Sequence, residues 1–411
     1  MFLRTLPLGF ILAGLVLYTV LAGADFGAGM WRLWAGGGER GERIRDHTHH
    51  SMGPVWEANH VWLIFVLTVT WTAYPTFLGS IASTLAVPFF IAALGIILRG
   101  ASYALRSAAS GARELRTVDG AFALASLVTP FALGTMAGGI AAERVPVGNA
   151  AGGMFSSWTG AVSILIGALA VTFSAYLAAV YLAADAVRRG EPELEEAFRR
   201  RALAAGVVAG ALAVAGLIVV RSDAHSLYTG LLHGAALAVL IVSLLAGAAA
   251  MALVAARRFE PARYVAAIAV AAVVAGWAFA RYPTLLPGLT VDQAAAPHDT
   301  LVAVVVSVLA GGAILFPSLG LLFALLLRGQ LGEAAAEPSP PPRATPAAAM
   351  PVPARGAAGM ARLAVALLIV GVGMLNAADA PWAHAIGVVS LFGFMIVAFA
   401  AIVPAALADD T

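Results

Sequence analysis

Long apolar segments joined by short polar connections occupy most of this chain. Eleven of them are long enough to cross a hydrocarbon core of about 30 Å as α-helices that rise about 1.5 Å per residue. They lie at residues 6–34, 52–79, 80–107, 118–142, 156–187, 201–221, 229–256, 262–281, 298–328, 361–378 and 383–405. The boundary between the second and the third, near Gly79, is the least clearly marked. The pattern predicts an all-α, polytopic membrane protein.

A proline-rich stretch divides these segments into two groups. Residues 337–343 read Glu-Pro-Ser-Pro-Pro-Pro-Arg, and proline at this density favours extended chain that does not pack into a core. We therefore expect a transmembrane body at residues 1–328, a cytoplasmic Pro/Ala-rich linker at 329–360 and a two-helix transmembrane appendage at 361–411.

The arginines indicate an orientation. All 24 basic residues are arginine, as in alanine-rich proteins of GC-rich bacteria, and nineteen of them fall on one side if the N-terminus is outside. Positive residues accumulate in cytoplasmic connections. We therefore expect a multi-pass protein of the bacterial cytoplasmic (inner) membrane, with its N-terminus outside and its C-terminus inside.

Composition excludes several kinds of site. Cysteine is absent, which excludes disulfides, iron–sulfur clusters, thiolate-ligated haem and c-type haem attachment in this chain. The net charge is +2 and only 11% of residues are charged, so the pI near 9.1 reflects sparse charges and not a basic face. No nucleic-acid partner is expected.

The first three segments contain ionisable residues that a lipid-facing helix does not tolerate. They hold Asp25, Glu57 and Arg99, with Asn59 and His60 beside Glu57. Each charge costs about 2.5–3.5 kcal/mol on insertion scales, so these groups must be paired, neutralised or hydrated. The three charges lie about 14, 8 and 12 Å from the inner ends of their helices. We expect a polar site in the cytoplasmic half of the membrane.

Two interpretations of this polar site remain open. Carboxylates in a wet, partly apolar site can exchange protons near neutral pH, which favours a route for cytoplasmic protons. Alternatively, Arg99 forms a structural ion pair with Asp25 or with Glu57. Trp56, directly before Glu57, would shield that acid from lipid in either case.

The histidines do not suggest a haem site. Haem in membrane cytochromes is commonly held by His or Met ligands on facing helices; His60 and His233 lie within segments but towards opposite faces, and His298 and His384 lie at the starts of two further segments. His47, His49 and His50 have a spacing that a metal site could use. Without a nearby set of carboxylates, we expect a solvated interfacial turn there and no metal site.

Several motifs in the body are similar to one known family. Residues 23–30, GADFGAGM, resemble the glycine-rich G-x-D-[LF]-G-x-G signature of the cytochrome bd oxidase second subunit. Residues 53–63, GPVWEANHVWL, resemble the G-P-V-W-[DE]-x-N-x-V-W-L motif of that family and are the more specific match. The aromatic-Pro step at Tyr74-Pro75, the sequence Leu98-Arg99-Gly100 and the outer loop at Tyr282-Pro283 agree with it. The resemblance covers residues 1 to about 330.

The resemblance implies a fold and a function. It implies a body of about nine helices, made of two four-helix bundles and one further helix, in the haem-free second subunit of a quinol oxidase that reduces oxygen to water. The second subunit would stabilise a haem-bearing subunit I in a heterodimer and help to deliver cytoplasmic protons. Haems b and d would belong to that partner, and none would bind to this chain alone. The resemblance also allows a structural quinone, contacts with membrane lipid and small accessory membrane subunits.

It also implies roles for particular residues. Asp25, Glu57 and His60 become the candidates for proton transfer, supported by Trp56, Asn59 and Arg99. The family pattern has Asp more often than Glu at position 57 and Gln or Glu at position 60. Ala104 replaces an acid of the third helix, which alters any proton path that uses that acid.

A secondary transporter with a cytoplasm-facing proton-coupling site is the alternative function. Transporters place their sites on broken helices in paired repeats near the midplane of the membrane. Pro75, Pro88 and Pro130 are scattered and do not mark such pairs. A membrane cytochrome that works without a partner is disfavoured by the histidines.

Overall fold

The computed structural model describes residues 2–108, 112–327, 355–377 and 380–408. Within these ranges the side chains of 49–50, 52–58, 103–104, 106–108 and 112–116, and several after residue 315, lie outside the description. The chain forms two compact units, Met1–Leu319 and Gly320–Thr411. Helices dominate both, as the apolar segments predict.

The first unit is built from long helices with short connections. They are α1 (Phe2–Leu33), α2 (Gly38–Ala73), α3 (Pro75–Thr84), α4 (Ala86–Ala108), α5 (Ala112–Ala141), α6 (Ala161–Arg188), α7 (Pro192–Asp223), α8 (His225–Leu231), α9 (Gly234–Ala255), α10 (Phe259–Arg281), α11 (Val291–Ala294) and α12 (His298–Leu327). A small antiparallel hairpin, β1 (Thr284–Leu286) and β2 (Leu289–Thr290), precedes α11. Helices α1, α2, α4 and α5 form one group of neighbours, and α6, α7, α9 and α10 form a second; α1 packs on α6 between the groups.

The membrane-spanning character is confirmed, while the exact number of spans is not. In the described part of the chain, α1, α5, α6, α7, α9, α10 and α12 are long and apolar enough to cross a membrane. The bent pair α2–α3 raises the number from seven to eight if the pair counts as one span. The polytopic all-α class is therefore correct, and the body of about nine helices stays a prediction.

The expected boundary near Gly79 is wrong. The chain breaks at Tyr74 and again at Leu85, and Gly79 lies inside α3. Pro75 cannot donate a backbone hydrogen bond and is tolerated in the first turn of a helix, while the residue before a proline avoids helical geometry. Tyr74 accordingly has φ −139° and ψ 63°, and α2 and α3 meet at a bend of 118°.

Glycine allows the two groups of helices to approach closely along α1. A Cβ on Gly27 would lie 1.9 Å from the carbonyl oxygen of Ser174 on α6, and one on Gly23 would lie 3.2 Å from Leu177. The same device joins α5 to α6, where a Cβ on Gly138 would lie 2.4 Å from the Cα of Ser163. Small residues four apart commonly let membrane helices pack backbone against backbone.

Ion pairs connect the helix ends and loops at both ends of this unit. At the end where α1 begins, Arg144 contacts Asp223 at 2.8 Å, and Arg281 pairs with Glu143. Hydrogen bonds from Ser226 and Arg281 lower the pKa of Glu143 below its usual value. At the end where α1 finishes, the pairs are Arg43–Glu193, Arg188–Glu260, Arg257–Glu195 and Arg257–Glu196. The connections between spans are therefore tied to one another across the helix bundle.

The second unit contains the end of the chain. Its helices α13 (Arg355–Ala377) and α14 (Pro381–Ala408) pack on each other as a hairpin. A Cβ on Gly371 would lie 2.7 Å from the Leu391 side chain, so this pair also depends on a close approach. The predicted linker at 329–360 lies mostly outside the described residues, and the three-part division of the chain remains a prediction.

Gly27→Ala should destabilise the body, because its methyl group would enter the Ser174 carbonyl and force α1 away from α6. Overpacking of this kind costs about 1–3 kcal/mol. Gly9→Ala is the matched control on the same helix, since a Cβ there meets nothing within 4 Å. Thermal unfolding of the two variants in detergent should show a lower midpoint only for Gly27→Ala. Equal midpoints would contradict the close contact between α1 and α6.

Candidate functional site

The buried charges of α1 and α4 meet. The Nη2 atom of Arg99 lies 2.6 Å from Oδ1 of Asp25, and both side chains are only 1% exposed. Arg99 is therefore the partner of Asp25. The two buried charges are thus paired with each other, and the pair uses the acid of the glycine-rich motif.

Asn59 of α2 completes the environment of Asp25. Its Nδ2 donates a hydrogen bond to Oδ2 of Asp25 at 3.0 Å, and the residue is 1% exposed. Both carboxylate oxygens thus face a donor on another helix. Because these contacts join α1 to α2 and to α4, the rotation of three helices about their axes depends on one carboxylate.

The remaining candidates on α2 lie close to Asn59 along the helix. His60 follows it and is partly exposed. Glu57 and Trp56 lie within one turn before it, on helical backbone, but their side chains lie outside the described part of the structure. The structure therefore joins Asp25, Asn59 and Arg99, and the contacts of Glu57 and Trp56 stay predictions.

Glycine makes room for the Arg99 side chain. A Cβ on Gly29 would lie 3.0 Å from Nη1 of Arg99 and 2.1 Å from the hydroxyl oxygen of Ser126. Gly27 likewise leaves room for the backbone of α6 at Ser174. The glycine-rich motif thus supplies the acid and clears the space in which its partner lies.

Residues that the sequence did not single out surround the guanidinium of Arg99. Its Nη1 donates to the hydroxyl of Ser126, which in turn donates to the carbonyl of Phe122 at 2.6 Å. The Cζ of Arg99 lies 4.3 Å from the ring centre of Phe122 and 4.8 Å from that of Phe26. Aromatic faces attract a desolvated cation, so these rings replace part of its lost hydration.

A second ion pair adjoins the first, and it was also missed. Arg32 of α1 contacts Asp119 of α5 at 2.6 Å, with side chains 6% and 30% exposed. The ring of Phe122, on α5, lies beside both pairs. Its centre is 4.9 Å from the Cζ of Arg32 and 4.3 Å from the Cζ of Arg99. Sequence reasoning counted Arg32 only as a topological charge. The sequence does contain a signal for this pair, because Asp119 lies at about the same depth in the membrane as Arg32.

The histidine cluster differs from expectation. His47 lies in α2 and is 3% exposed, with Nε2 3.0 Å from the carbonyl oxygen of Leu182 and its ring near Phe198. The expected solvated turn is therefore wrong at His47. The helix α2 already begins at Gly38, so His47 lies inside this helix and packs against α6 and α7. The side chains of His49 and His50 lie outside the description. Among the described residues no three His, Cys, Asp or Glu side chains are grouped as metal ligands.

Comparisons with known proteins agree on one family. The family model described as "Cytochrome bd terminal oxidase subunit II" matches residues 3–326. In Bacillus subtilis (strain 168), "Cytochrome bd ubiquinol oxidase subunit 2" is 31% identical over 116 residues, which are 28% of this chain and 33% of that protein. "Putative cytochrome bd menaquinol oxidase subunit II" from the same strain is 22% identical over 221 residues, or 53% and 62% of the two chains. The aligned parts thus span between one third and just under two thirds of these relatives.

A solved structure shows the same fold. "The structure of bd oxidase from Geobacillus thermodenitrificans" matches with a TM-score of 0.60 and 24% identity, covering 80% of this chain and 99% of that chain. The family match includes both motifs that meet at Asp25, the glycine-rich segment of α1 and the segment of α2 that contains Asn59. With 324 of 411 residues inside that match, this chain belongs to the cytochrome bd terminal oxidase subunit II family.

Proposed function

We propose that this chain is the haem-free second subunit of a cytochrome bd-type quinol oxidase. In that complex a haem-bearing subunit I would oxidise quinol and reduce oxygen to water, with haems b and d in that subunit. This chain would form a heterodimer with it, stabilise it and help to deliver cytoplasmic protons. Small accessory membrane subunits and a structural quinone fit the same complex. The family match over residues 3–326 is the observation that carries the proposal.

The buried site supports the proton-delivery part. Asp25 has both carboxylate oxygens beside donors, Arg99 and Asn59, at 2.6 and 3.0 Å. A proton that binds to Asp25 must displace one of these two contacts. The positive charge of Arg99 would stay beside the carboxylate while protons enter and leave. Glu57 and His60, close by on α2, would supply the further titratable groups of the route, and Trp56 would screen Glu57 from lipid.

The orientation follows from the arginines. In the proposed topology the N-terminus is outside, and the end where α1 finishes, at Leu33, faces the cytoplasm together with the C-terminus. The Arg32–Asp119 pair then lies on the cytoplasmic side of the Arg99–Asp25 pair. Protons drawn from that side would charge the membrane as oxygen is reduced.

The alternative, a secondary transporter, has one supporting observation. The bend of 118° between α2 and α3 resembles a broken helix. A transporter of the inverted-repeat type needs two such breaks at corresponding positions, and the described residues contain one bent pair. The family match and the unpaired break both favour the oxidase subunit.

Glu57→Gln should slow oxygen reduction while the complex still assembles, because glutamine has the shape of glutamate but cannot carry a proton. We expect turnover per haem to fall at least about tenfold, or about 1.4 kcal/mol of barrier. Glu57→Asp should retain substantial activity. Glu39→Gln, an exposed acid in the first turn of α2, is the control and should be neutral. Normal turnover per haem in Glu57→Gln would leave this acid a structural role only.

The isolated chain should carry no haem, since His60 and His233 lie towards opposite faces and the family resemblance assigns the haems to the partner. A reduced-minus-oxidised spectrum of the folded chain, purified alone, should show no stoichiometric b-type band. The intact complex, measured at equal concentration, serves as the positive control. A band of one haem per chain would refute the assignment of the haems to subunit I.

A further inference from the structure

A cavity with several polar side chains in its lining opens between four helices, and neither Asp25 nor Arg99 lines it. Its volume is about 280 Å³, and it is lined by Leu21 of α1, Ser51 of α2, Tyr181, Asp185 and Arg188 of α6, and Arg263 and Tyr264 of α10. Small-molecule sites usually measure about 300–1,000 Å³, so the space suits a headgroup or a comparably small polar group.

The position of this cavity in the fold is that of a membrane interface. Asp185 and Arg188 belong to the last turn of α6, and Arg263 and Tyr264 lie near the start of α10. The ion pair between Arg188 and Glu260, at 3.0 Å, holds these two helix ends together. Tyrosines and arginines at the ends of spanning helices typically lie at the level of the lipid headgroups.

The cavity also continues towards the hydrocarbon. Leu21 lies twelve residues before the end of α1 at Leu33, or about 18 Å along the helix. On the outer surface of α10, Tyr264 and Ile268 are one turn apart and are 70% and 51% exposed, and Val187 of α6 is 49% exposed. An occupant with a polar head and an apolar tail would fit both the lining and this surface.

Two donors in the lining can bind an acceptor. The Cζ of Arg263 lies 4.9 Å from the ring centre of Tyr181, which covers one face of the guanidinium and leaves its N–H edge for hydrogen bonds. The ion pair of Arg263 with Glu260 is long, at 3.5 Å. The hydroxyl of Ser51 is buried and has no hydrogen-bond partner within the described part of the chain.

Ser51 differs in this respect from other hydroxyls in the helices. Thr70, Ser102 and Ser126 each donate to the carbonyl four residues earlier, at 2.6–2.7 Å. Such local bonds are the usual way for serine and threonine to be satisfied inside a helix. A buried hydroxyl without a hydrogen bond destabilises the fold, and an acceptor group of an occupant would remove that penalty.

The charges around the cavity indicate the kind of headgroup. Arg188 and Arg263 are balanced by Asp185 and Glu260, which pair with them at the rim. An occupant with a net charge would upset this balance, whereas a phosphate with an attached ammonium would preserve it. The phosphate would accept hydrogen bonds from Arg263 and Ser51, and the ammonium would donate to the carboxylates.

We propose that this cavity binds the headgroup of a zwitterionic aminophospholipid, with its phosphate on Arg263 and Ser51 and its ammonium facing Asp185 and Glu260. Binding there would connect α1 and α2 to α6 and α10 through a lipid. The site is separate from the proton-delivery role and does not depend on it.

The test uses the full chain purified in detergent with the subunits that accompany it. Native mass spectrometry counts the retained phospholipid, and the thermal midpoint is measured after delipidation and return of phosphatidylethanolamine, phosphatidylglycerol or phosphatidylcholine. Phosphatidylethanolamine should bind and stabilise best, because phosphatidylglycerol has no ammonium and phosphatidylcholine has no N–H donor. Arg263→Gln should weaken its binding at least about tenfold, the loss expected for one charge-assisted hydrogen bond.

Two further variants make the result decisive. Ser51→Ala should lower the affinity for phosphatidylethanolamine a few-fold without altering charge. It tests the same site if Arg263→Gln assembles poorly. Arg258→Gln, an exposed arginine just before α10 that does not line the cavity, should change nothing. Equal stabilisation by all three lipids, or by inorganic phosphate in place of lipid, would overturn the proposal. So would phosphatidylethanolamine binding that is unchanged in both Arg263→Gln and Ser51→Ala.

Discussion

The burial of one ion pair, Asp25 with Arg99, is the constraint on which the first group of helices depends. Two charges removed from water lose hydration worth several kcal/mol each, and their mutual attraction offsets this only in good geometry with further hydrogen bonds. The chain places the two charges 2.6 Å apart, and Asn59, Ser126 and the ring of Phe122 add further contacts to the carboxylate and the guanidinium. Loss of either charge alone costs about 3–5 kcal/mol, a large share of the stability of a typical protein.

The same pair links the architecture to the proposed function. Asp25 contacts α2 through Asn59 and α4 through Arg99, so the segment of α2 with Glu57 and His60 is held next to the buried carboxylate. Glycines 23, 27 and 29 allow this by removing side chains where α1 meets α6, Arg99 and Ser126. A motif that matches the family by sequence is therefore also a steric requirement of the packing. The proposed proton-delivery site and a stable helix bundle would therefore have the same structural basis.

Much of this could be predicted from the sequence, within a clear physical limit. Apolar length predicted the helices, and the cost of charges in lipid predicted that Asp25, Glu57 and Arg99 would need partners. Depth along a helix gives only height, whereas pairing also depends on the direction in which each side chain points. That direction follows from helix packing, so neither the pairing of Arg99 with Asp25 nor the contacts of Ser126 could be read from spacing.

The misses have related causes. The break at Tyr74 was hidden because the apolar character continues through α3, and hydropathy does not register a change of direction. Arg32 lies in the last turn of α1 and Asp119 at the start of the apolar segment predicted at 118–142, where charges are usually solvated, and their pairing beside Phe122 required the packing of α1 on α5. His47 was assigned to a solvated interfacial turn because the sequence offered neither cysteine nor a nearby set of carboxylates for a metal site. The helix α2 begins before it and presents it to the Leu182 carbonyl.

A double-mutant cycle on the buried pair tests the central claim most directly. Asp25→Asn and Arg99→Gln should each lower the thermal midpoint and the yield of the complex, because each leaves one charge buried without its partner. The double variant, which buries no charge at these positions, should recover most of that stability and still turn over at least about tenfold more slowly per haem. Simple addition of the two destabilisations would contradict the claim that the pair organises the helices. Recovered stability with normal turnover would contradict the role of this pair in proton delivery.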